Sequence, residues 1–437
     1  MRDISRRSLL RGTGALASTT ALGASDWASA WAARNPFAPE RGARLLLLRW
    51  SGFVQTKPEK VAFERLVADY TAATGVEIEV IEASLDEVPL KAMFAATVGN
   101  GPDLIWSLND DAHLLASRLV DVSDVAEYLG ARLGGWYPVA REYGMRRDRW
   151  ICLPVAIKGY YLNFRPSWVG EAGFASFPTN LADFMTLAKR LKRDGHPMGF
   201  ALGNSPSDGN SWCYWLLWAF GGGVADADDR MIINRSETVA ALDYVRELFP
   251  NLLPDVLRWT DKDNNAAFLH GAISVTNNPI VVYDKLRAEG NPMADDVDHA
   301  VFPLGLSGQP AELHIMYPMM LFKHSRYPNA AKSFMAFMME HPNYDRWLYA
   351  AAGYLSHTLK AYAANPVWTE DPKRTVFREA GARSKSYAYP GHLGYAASAA
   401  FSDLVVVRMF AAVAAGRCTP KEAAETAASK LSRYFNA

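Results

Sequence analysis

The sequence predicts an α/β protein of two lobes, and three observations carry that expectation. A chain of 437 residues exceeds the roughly 100–200 residues of one ordinary domain. From Arg44 onward, short apolar or alternating runs of strand type take turns with 3.6-residue periods of helix type. No internal repeat or low-complexity linker divides the chain, so the lobes are expected to interleave and to be joined by several short crossings. That is the geometry of a hinge beside a central cleft.

Each element follows from local pattern. Arg44–Trp50 is an apolar run of strand length, and Pro58 opens a helix with Phe63, Leu66, Val67 and Tyr70 on one face, stopped by Gly75. Val76–Val80 alternates apolar and acidic with period two, as a half-buried strand does. Leu90, Met93, Phe94 and Val98 share one face of the next helix; Gly99-Asn100-Gly101-Pro102 breaks it, and Asp103–Trp106 starts a third strand. This β-α-β-α-β order predicts a mostly parallel sheet covered by helices.

A second such region follows Pro154. Tyr160–Phe164 reads as a strand, and Thr179 or Asn180 caps a helix bearing Leu181, Phe184, Met185, Leu187, Ala188 and Leu191. Val239, Leu242, Val245 and Leu248 mark another helix, Ala272–Thr276 and Ala300–Phe302 are short strands, and Pro328–Glu340 is a helix with Ala331, Phe334, Met335 and Met338 inward. The C-terminal third reads as helical, its last helix opening on the capping box Thr419-Pro420-Lys421-Glu422.

Ahead of these elements, residues 1–30 have the three parts of an export signal. Ser5-Arg6-Arg7-Ser8-Leu9-Leu10 resembles the twin-arginine pattern, Gly12–Ala24 is mildly apolar, and Ala28-Ser29-Ala30 is a small-residue cleavage site. Cleavage is expected after Ala30, to within a few residues because Trp31-Ala32 follows. No Cys follows the site, so a soluble, periplasmic protein without a lipid anchor is expected. No segment approaches the 18 or so apolar residues of a membrane helix.

Composition removes several classes of function. Lys+Arg and Asp+Glu both total 46, which gives no electrostatic drive toward nucleic acid. Cys152, Cys213 and Cys418 are too few and too far apart for a disulfide framework or a CxxC metal site, and read as buried free thiols. The nucleophile elbow, the phosphate loop and the dinucleotide-binding glycine pattern are absent, and no His pairs with another at i+2 or i+4. Asp110-Asp111, Asp228-Asp229 and Asp295-Asp296 read as solvated turns. No catalytic residue, metal or cofactor is assigned. Aromatic residues make up 12% of the chain, enough to serve both core and ligand site.

Read as a set, several segments resemble family 1 extracellular solute-binding proteins, the maltose-binding-like subunits of ABC importers for carbohydrates. They are Gly101-Pro102-Asp103-Leu104-Ile105-Trp106, Leu119-Val120-Asp121-Val122-Ser123, Leu153-Pro154-Val155 with Tyr161–Arg165, and Glu171-Ala172-Gly173-Phe174 with Pro178 and Leu181–Phe184. Further on stand Ile233-Asn234, Thr238–Leu242, Ala267–Ala272, Pro303-Leu304-Gly305 and Asn329–Phe334. Leu162 and Phe184 depart from the family pattern. The resemblance implies a type II-like periplasmic-binding-protein fold, with an N-lobe of residues 44–154 plus 303–350 and a C-lobe of 158–300 plus 357–437. Its crossings fall near Pro154–Lys158, Pro303–Glu312 and Asp345–Ser356. It also implies hinge closure on ligand, the mechanism for which periplasmic binding proteins are the standing example.

A sugar presents hydroxyls that need donors and acceptors, and C–H faces that pack on rings. Loops combining such groups are the candidate site: Trp50 and Phe53 after the first strand, Asn109 and Asp110 after Trp106, and Lys158 and Tyr160 at the first crossing. Asp208, Asn210 and Trp212, then Asn277 and Asn278, then Tyr387 and Tyr389 complete it. Trp212 is preferred over Trp215 and Trp218, whose i, i+3 spacing suits a core, and His314 is expected to pack or cap. The reading is a monomeric, non-catalytic binding protein, exported by the twin-arginine machinery, that delivers a carbohydrate or polyol to ABC permease subunits. The alternative is an exported hydrolase acting on sugars.

Overall fold

The computed structural model describes residues 24–51 and 57–435. A helix, α1 (Ala24–Ala32), precedes the first strand, β1 (Arg44–Trp50), in which Leu45, Leu47 and Leu48 are buried. β1 pairs in parallel with β2 (Glu77–Ala83) and β3 (Leu104–Trp106), and the crossovers are α2 (Lys57–Thr74) and α3 (Glu87–Val98). β2 alternates exposed and half-buried positions, as befits the edge of the sheet.

Three further strands complete this sheet, and the chain visits a second one between them. β4 (Leu153–Lys158) leads through Gly159-Tyr160 into β5 (Tyr161–Phe164). β5 is flanked by β6 (Val275–Asn278) and β7 (Asp298–Ala300) in a three-stranded sheet, before the chain returns as β8 (Ile315–Leu321) and later β9 (Ser356–His357). The larger sheet has the order β9-β4-β8-β3-β1-β2. Two lobes follow from this path, an α/β architecture on two sheets. The parallel arrangement holds for β1, β2 and β3, whereas β8 runs antiparallel to β3 and β4, and every pairing of the smaller sheet is antiparallel. Local periodicity registers the crossover helices; it does not register a strand that returns from the other lobe.

Helix ends agree with their capping chemistry. In α4 (Leu181–Arg193), the Asn180 side chain accepts from the Asp183 amide at 2.9 Å. α5 (Asp208–Ala219) is buried along its whole length, and α6 (Pro328–Met339) and α7 (Asn343–Ala350) cover the larger sheet together with α2. In the last helix, α8 (Pro420–Phe435), Thr419 and Glu422 form the reciprocal box, at 2.8 and 3.3 Å. Much of residues 360–379 is 3₁₀ turn rather than the expected helix.

α3 corrects one reading of its helical face. Leu90, Met93, Phe94 and Val98 are all more than half exposed, and the buried side is Val88, Ala92, Ala95 and Ala96. Small residues let this helix lie close against the sheet, and periodicity does not say which of two apolar faces goes inward. Among the described residues no single helix is long and apolar enough to cross a membrane; Tyr395–Ser402 and Val405–Ala414, bent by 41°, meet that test only as a pair. Cys152 and Cys213 are buried free thiols, and Cys418 is a half-buried one.

Beneath the end of β1 lies a buried ion pair. Arg49 donates to both carboxylate oxygens of Glu59 at 2.8 and 3.0 Å, and its guanidinium stands 4.4 Å from the Phe63 ring centre. Trp347 from α7 donates to the same carboxylate at 2.6 Å, so one charge pair ties β1, α2 and α7 together. Removing one partner of a buried pair strands the other. Glu59→Ala is therefore expected to destabilise the protein by about 3–5 kcal/mol, read as a lowered urea midpoint.

Candidate functional site

The path of the chain makes the site. Ligands of open α/β sheets lie beyond the carboxyl ends of strands, and β1, β4 and β6 end at Trp50, Lys158 and Asn278. At the crossing after β4, a Cβ on Gly159 would lie 2.9 Å from the Tyr161 ring, so the close turn there requires glycine. His314 fixes the same turn: its Nδ1 accepts the Tyr160 amide proton at 3.0 Å. Its Nε2 lies 3.2 Å from Glu312, which Arg383 holds at 2.7 Å.

Between the lobes opens a cleft of about 440 Å³. The candidates Lys158, Tyr160, Asp208 and Asn278 line it, together with Asp261, Asn265 and Tyr354, which the sequence did not single out. Lys158 is 5% exposed, and its ammonium stands 5.1, 5.8 and 5.9 Å from the ring centres of Tyr160, Tyr354 and Trp50. Among the described residues it has no hydrogen-bond or ion-pair partner. Burial pulls it down to about 8, against the charges of Asp208 and Asp261.

The opposite wall is a network of short polar side chains. Burial and the charge of Asp261 push Asp208 well above the usual carboxylate range, while a hydrogen bond from Asn264 at 2.9 Å opposes this. Asp261 accepts from the Ser205 hydroxyl and, at 3.1 Å, from the amides of Ser207 and Asp208, closing the start of α5. Asn264 also donates to the Asn277 carbonyl at 3.1 Å, Asn277 donates to the Asp208 carbonyl at 2.8 Å, and Asn278 donates to Asn265. Asn277 thus braces the wall from behind rather than lining it.

The other predicted residues fall in different places. Trp50 is half-buried beside Lys158, its ring parallel to Tyr317 at 6.5 Å; Phe53 lies outside the described residues. Asn109 takes a left-handed backbone (φ 43°) and its amide donates to the Met316 carbonyl. Asp110 and Asp111 are not a solvated turn. Burial pushes them up to about 7 and about 6; the Ser107 hydroxyl donates to Asp111, whereas Asp110 Oδ2 and the Tyr387 hydroxyl are buried without a hydrogen-bond partner among the described residues. Asp110 does not line the cleft described above.

Three aromatic or amide candidates are packing residues. Trp212 is fully buried, donates to the Ala201 carbonyl at 2.8 Å, and rests on Phe200 and Phe410. Its proximity to a polar loop in sequence says nothing about which side of α5 it occupies. Asn210 is buried, donating to the carbonyls of Pro206 and Phe401. Tyr387 stacks on Phe401 at 4.6 Å, and Tyr389 is partly exposed beside Trp218 and Lys385. Asp261 and Tyr354 were not found because each sits in a segment without a motif, far in sequence from the residues it meets. Among the described residues no cluster of His, Cys, Asp and Glu could hold a metal ion.

Two sheets linked by short crossings, with a polar cleft where the chain passes between them, define a two-lobed periplasmic-binding-protein fold. The chain belongs to the bacterial extracellular solute-binding protein family, whose model matches residues 65–376. Among solved structures it is similar to a sugar transporter protein from Arthrobacter chlorophenolicus A6 with bound laminaribiose, at 18% identity and a TM-score of 0.72, covering 90% of this chain and 99% of that one. It is also similar to the cyclic alpha-maltosyl-1,6-maltose binding protein of Arthrobacter globiformis (17%, TM-score 0.74, 90% and 99% covered). A third is a solute-binding protein from Agrobacterium radiobacter K84 in complex with ribitol (17%, TM-score 0.71, 90% and 98%). At these identities the likeness carries the fold. No curated protein matches the chain.

An unpaired buried ammonium is a cost to the ligand-free protein. The Lys158 proton is held less tightly in the folded chain than in the unfolded one, so its contribution to stability rises as pH goes from about 8 toward 10.5. Lys158→Met is expected to melt no lower than the wild type at pH 7, with any advantage shrinking toward pH 10 in paired thermal melts. A clearly lower melting temperature for the variant at pH 7 would show that the ammonium is satisfied.

Proposed function

We propose that this protein binds a carbohydrate or polyol in the cleft between Lys158 and Asp208, closes on it at the Gly159-Tyr160 crossing, and presents the closed form to the permease of an ABC importer. The carrying observation is the buried Lys158 ammonium, without a hydrogen-bond partner among the described residues, across the cleft from the buried carboxyl of Asp208. A ligand hydroxyl can accept from the first and donate to the second through a single oxygen. Tyr160, Tyr354 and Trp50 offer faces for the C–H surface of a ring or chain.

Lys158 is set against two carboxyl groups, Asp208 and Asp261, a lining of mixed sign that favours a neutral ligand; Lys262 and Lys285 at the mouth are exposed to solvent. A cleft of about 440 Å³ is within the range of small-molecule sites. Laminaribiose and ribitol, bound by two proteins of the same fold, belong to this chemical class. A ligand that bridges the lobes shifts the open–closed balance by its differential affinity for the closed state, and needs no catalytic group to do so. We place the protein in the periplasm as a soluble monomer, exported through the twin-arginine route without a lipid anchor.

Thermal melts across neutral sugars, polyols, sugar acids and sugar phosphates test this. A ligand at about 100 times its Kd stabilises the native state by about 2.7 kcal/mol. At least one neutral sugar or polyol is expected to raise the melting temperature of the wild type, and Lys158→Met to lose that response. Stabilisation by anionic compounds alone would overturn the neutral-ligand reading. New reducing ends released from a bound glycan would overturn the reading as a binding protein.

A further inference from the structure

Helix α1 crosses the bond that the small-residue pattern marks for cleavage, and it is part of the first lobe. Ala28 and Trp31 are 2% and 1% exposed. The Trp31 ring meets Phe337 edge-on at 5.0 Å and Tyr70 at 6.4 Å, and Trp27 meets Phe337 at 5.5 Å. Tyr70 and Phe337 are themselves fully buried, on α2 and α6. The segment that follows is fastened to the same helices: Asn35 donates to Ser333 at 2.7 Å, and Glu40 accepts the amides of Asn329 and Ala330 at 2.9 and 2.8 Å, capping α6.

A cut between Ala30 and Trp31 would have three consequences. It would remove Trp27 and Ala28 from this packing. It would place a new charged α-amine on Trp31, whose ring is packed against Tyr70 and Phe337. It would also require a peptidase to reach a helical, packed bond, whereas processing concentrates at exposed and extended chain. A twin-arginine leader sharpens the last point, because it carries chains that fold before they cross the membrane.

We propose that the leader is cut ahead of Trp27, and that α1 stays in the exported protein as the cover over Tyr70 and Phe337. Ala21-Leu22-Gly23 supplies small residues at the two positions such a cut needs, after an apolar stretch of the usual length; these three residues lie outside the described ones.

The test is to express the full chain with its own leader, recover it from the periplasmic fraction, and read its N-terminus by Edman degradation and intact mass. The result expected is a chain beginning at or before Trp27 and after Ser18. A chain beginning at Trp31 or later, or one that keeps the whole leader, overturns the proposal. A second measurement compares melting temperatures of chains made to begin at Ala24 and at Ala33, and of the first carrying Trp31→Ala. Both changes are expected to lower the melting temperature by roughly 5 °C or more. Equal melting temperatures overturn the role assigned to α1.

Discussion

One charge sets the terms for the rest of this molecule: the ammonium of Lys158, buried on the last residue of β4 where the chain leaves the larger sheet. Its position is fixed by backbone pairing on both sides, to Ile315 of β8 and, one residue earlier, to Met316 and Ser356. Three rings and two carboxylates at a distance lower the cost of holding it there and leave its donors unused. A protein selected for stability alone would replace it, since an apolar chain of similar length packs as well without the desolvation penalty. Its presence is intelligible as the half of an interaction that a ligand completes.

The rest of the fold serves that placement. Asp208 faces the ammonium because Asp261 closes the start of α5 and the Asn264–Asn277 pair holds the strand end behind it. The Arg49–Glu59 pair, with Trp347, keeps β1 and α2 rigid under Trp50. Gly159 and the His314–Glu312–Arg383 chain make the crossing narrow, so that a rotation of one lobe on the other is concentrated near the cleft. Most of the aromatic content turned out to be core: Trp31, Trp106, Trp150, Trp212, Trp347 and Trp368 are all fully buried, and few rings reach the cleft.

Where the sequence was legible, it was through local physics. The strands at Arg44 and Leu104, the Asn180 cap and the Thr419–Glu422 box are each determined by residues a few positions apart. Lys158, Tyr160 and Asn278, singled out from their places near strand ends, do line the cleft. What was not legible is relational. The outward face of α3 depends on how closely its alanines approach the sheet; the fate of Trp212 depends on which side of α5 the second lobe packs; and Asp261 and Tyr354 reach the cleft only through long chain paths. The boundary of the leader belongs to the same group, since a small-residue pattern cannot reveal that its neighbour is a buried tryptophan.

A ligand hydroxyl joining Lys158 to Asp208 is the interaction on which the rest depends, and a crystal structure of the closed complex with a stabilising sugar or polyol would show it. The expected structure has a ligand hydroxyl within about 2.7–3.2 Å of both the Lys158 ammonium and the Asp208 carboxyl, with a ring of Tyr160, Tyr354 or Trp50 against its C–H face. A ligand seated elsewhere, with Lys158 still unpaired, would contradict it.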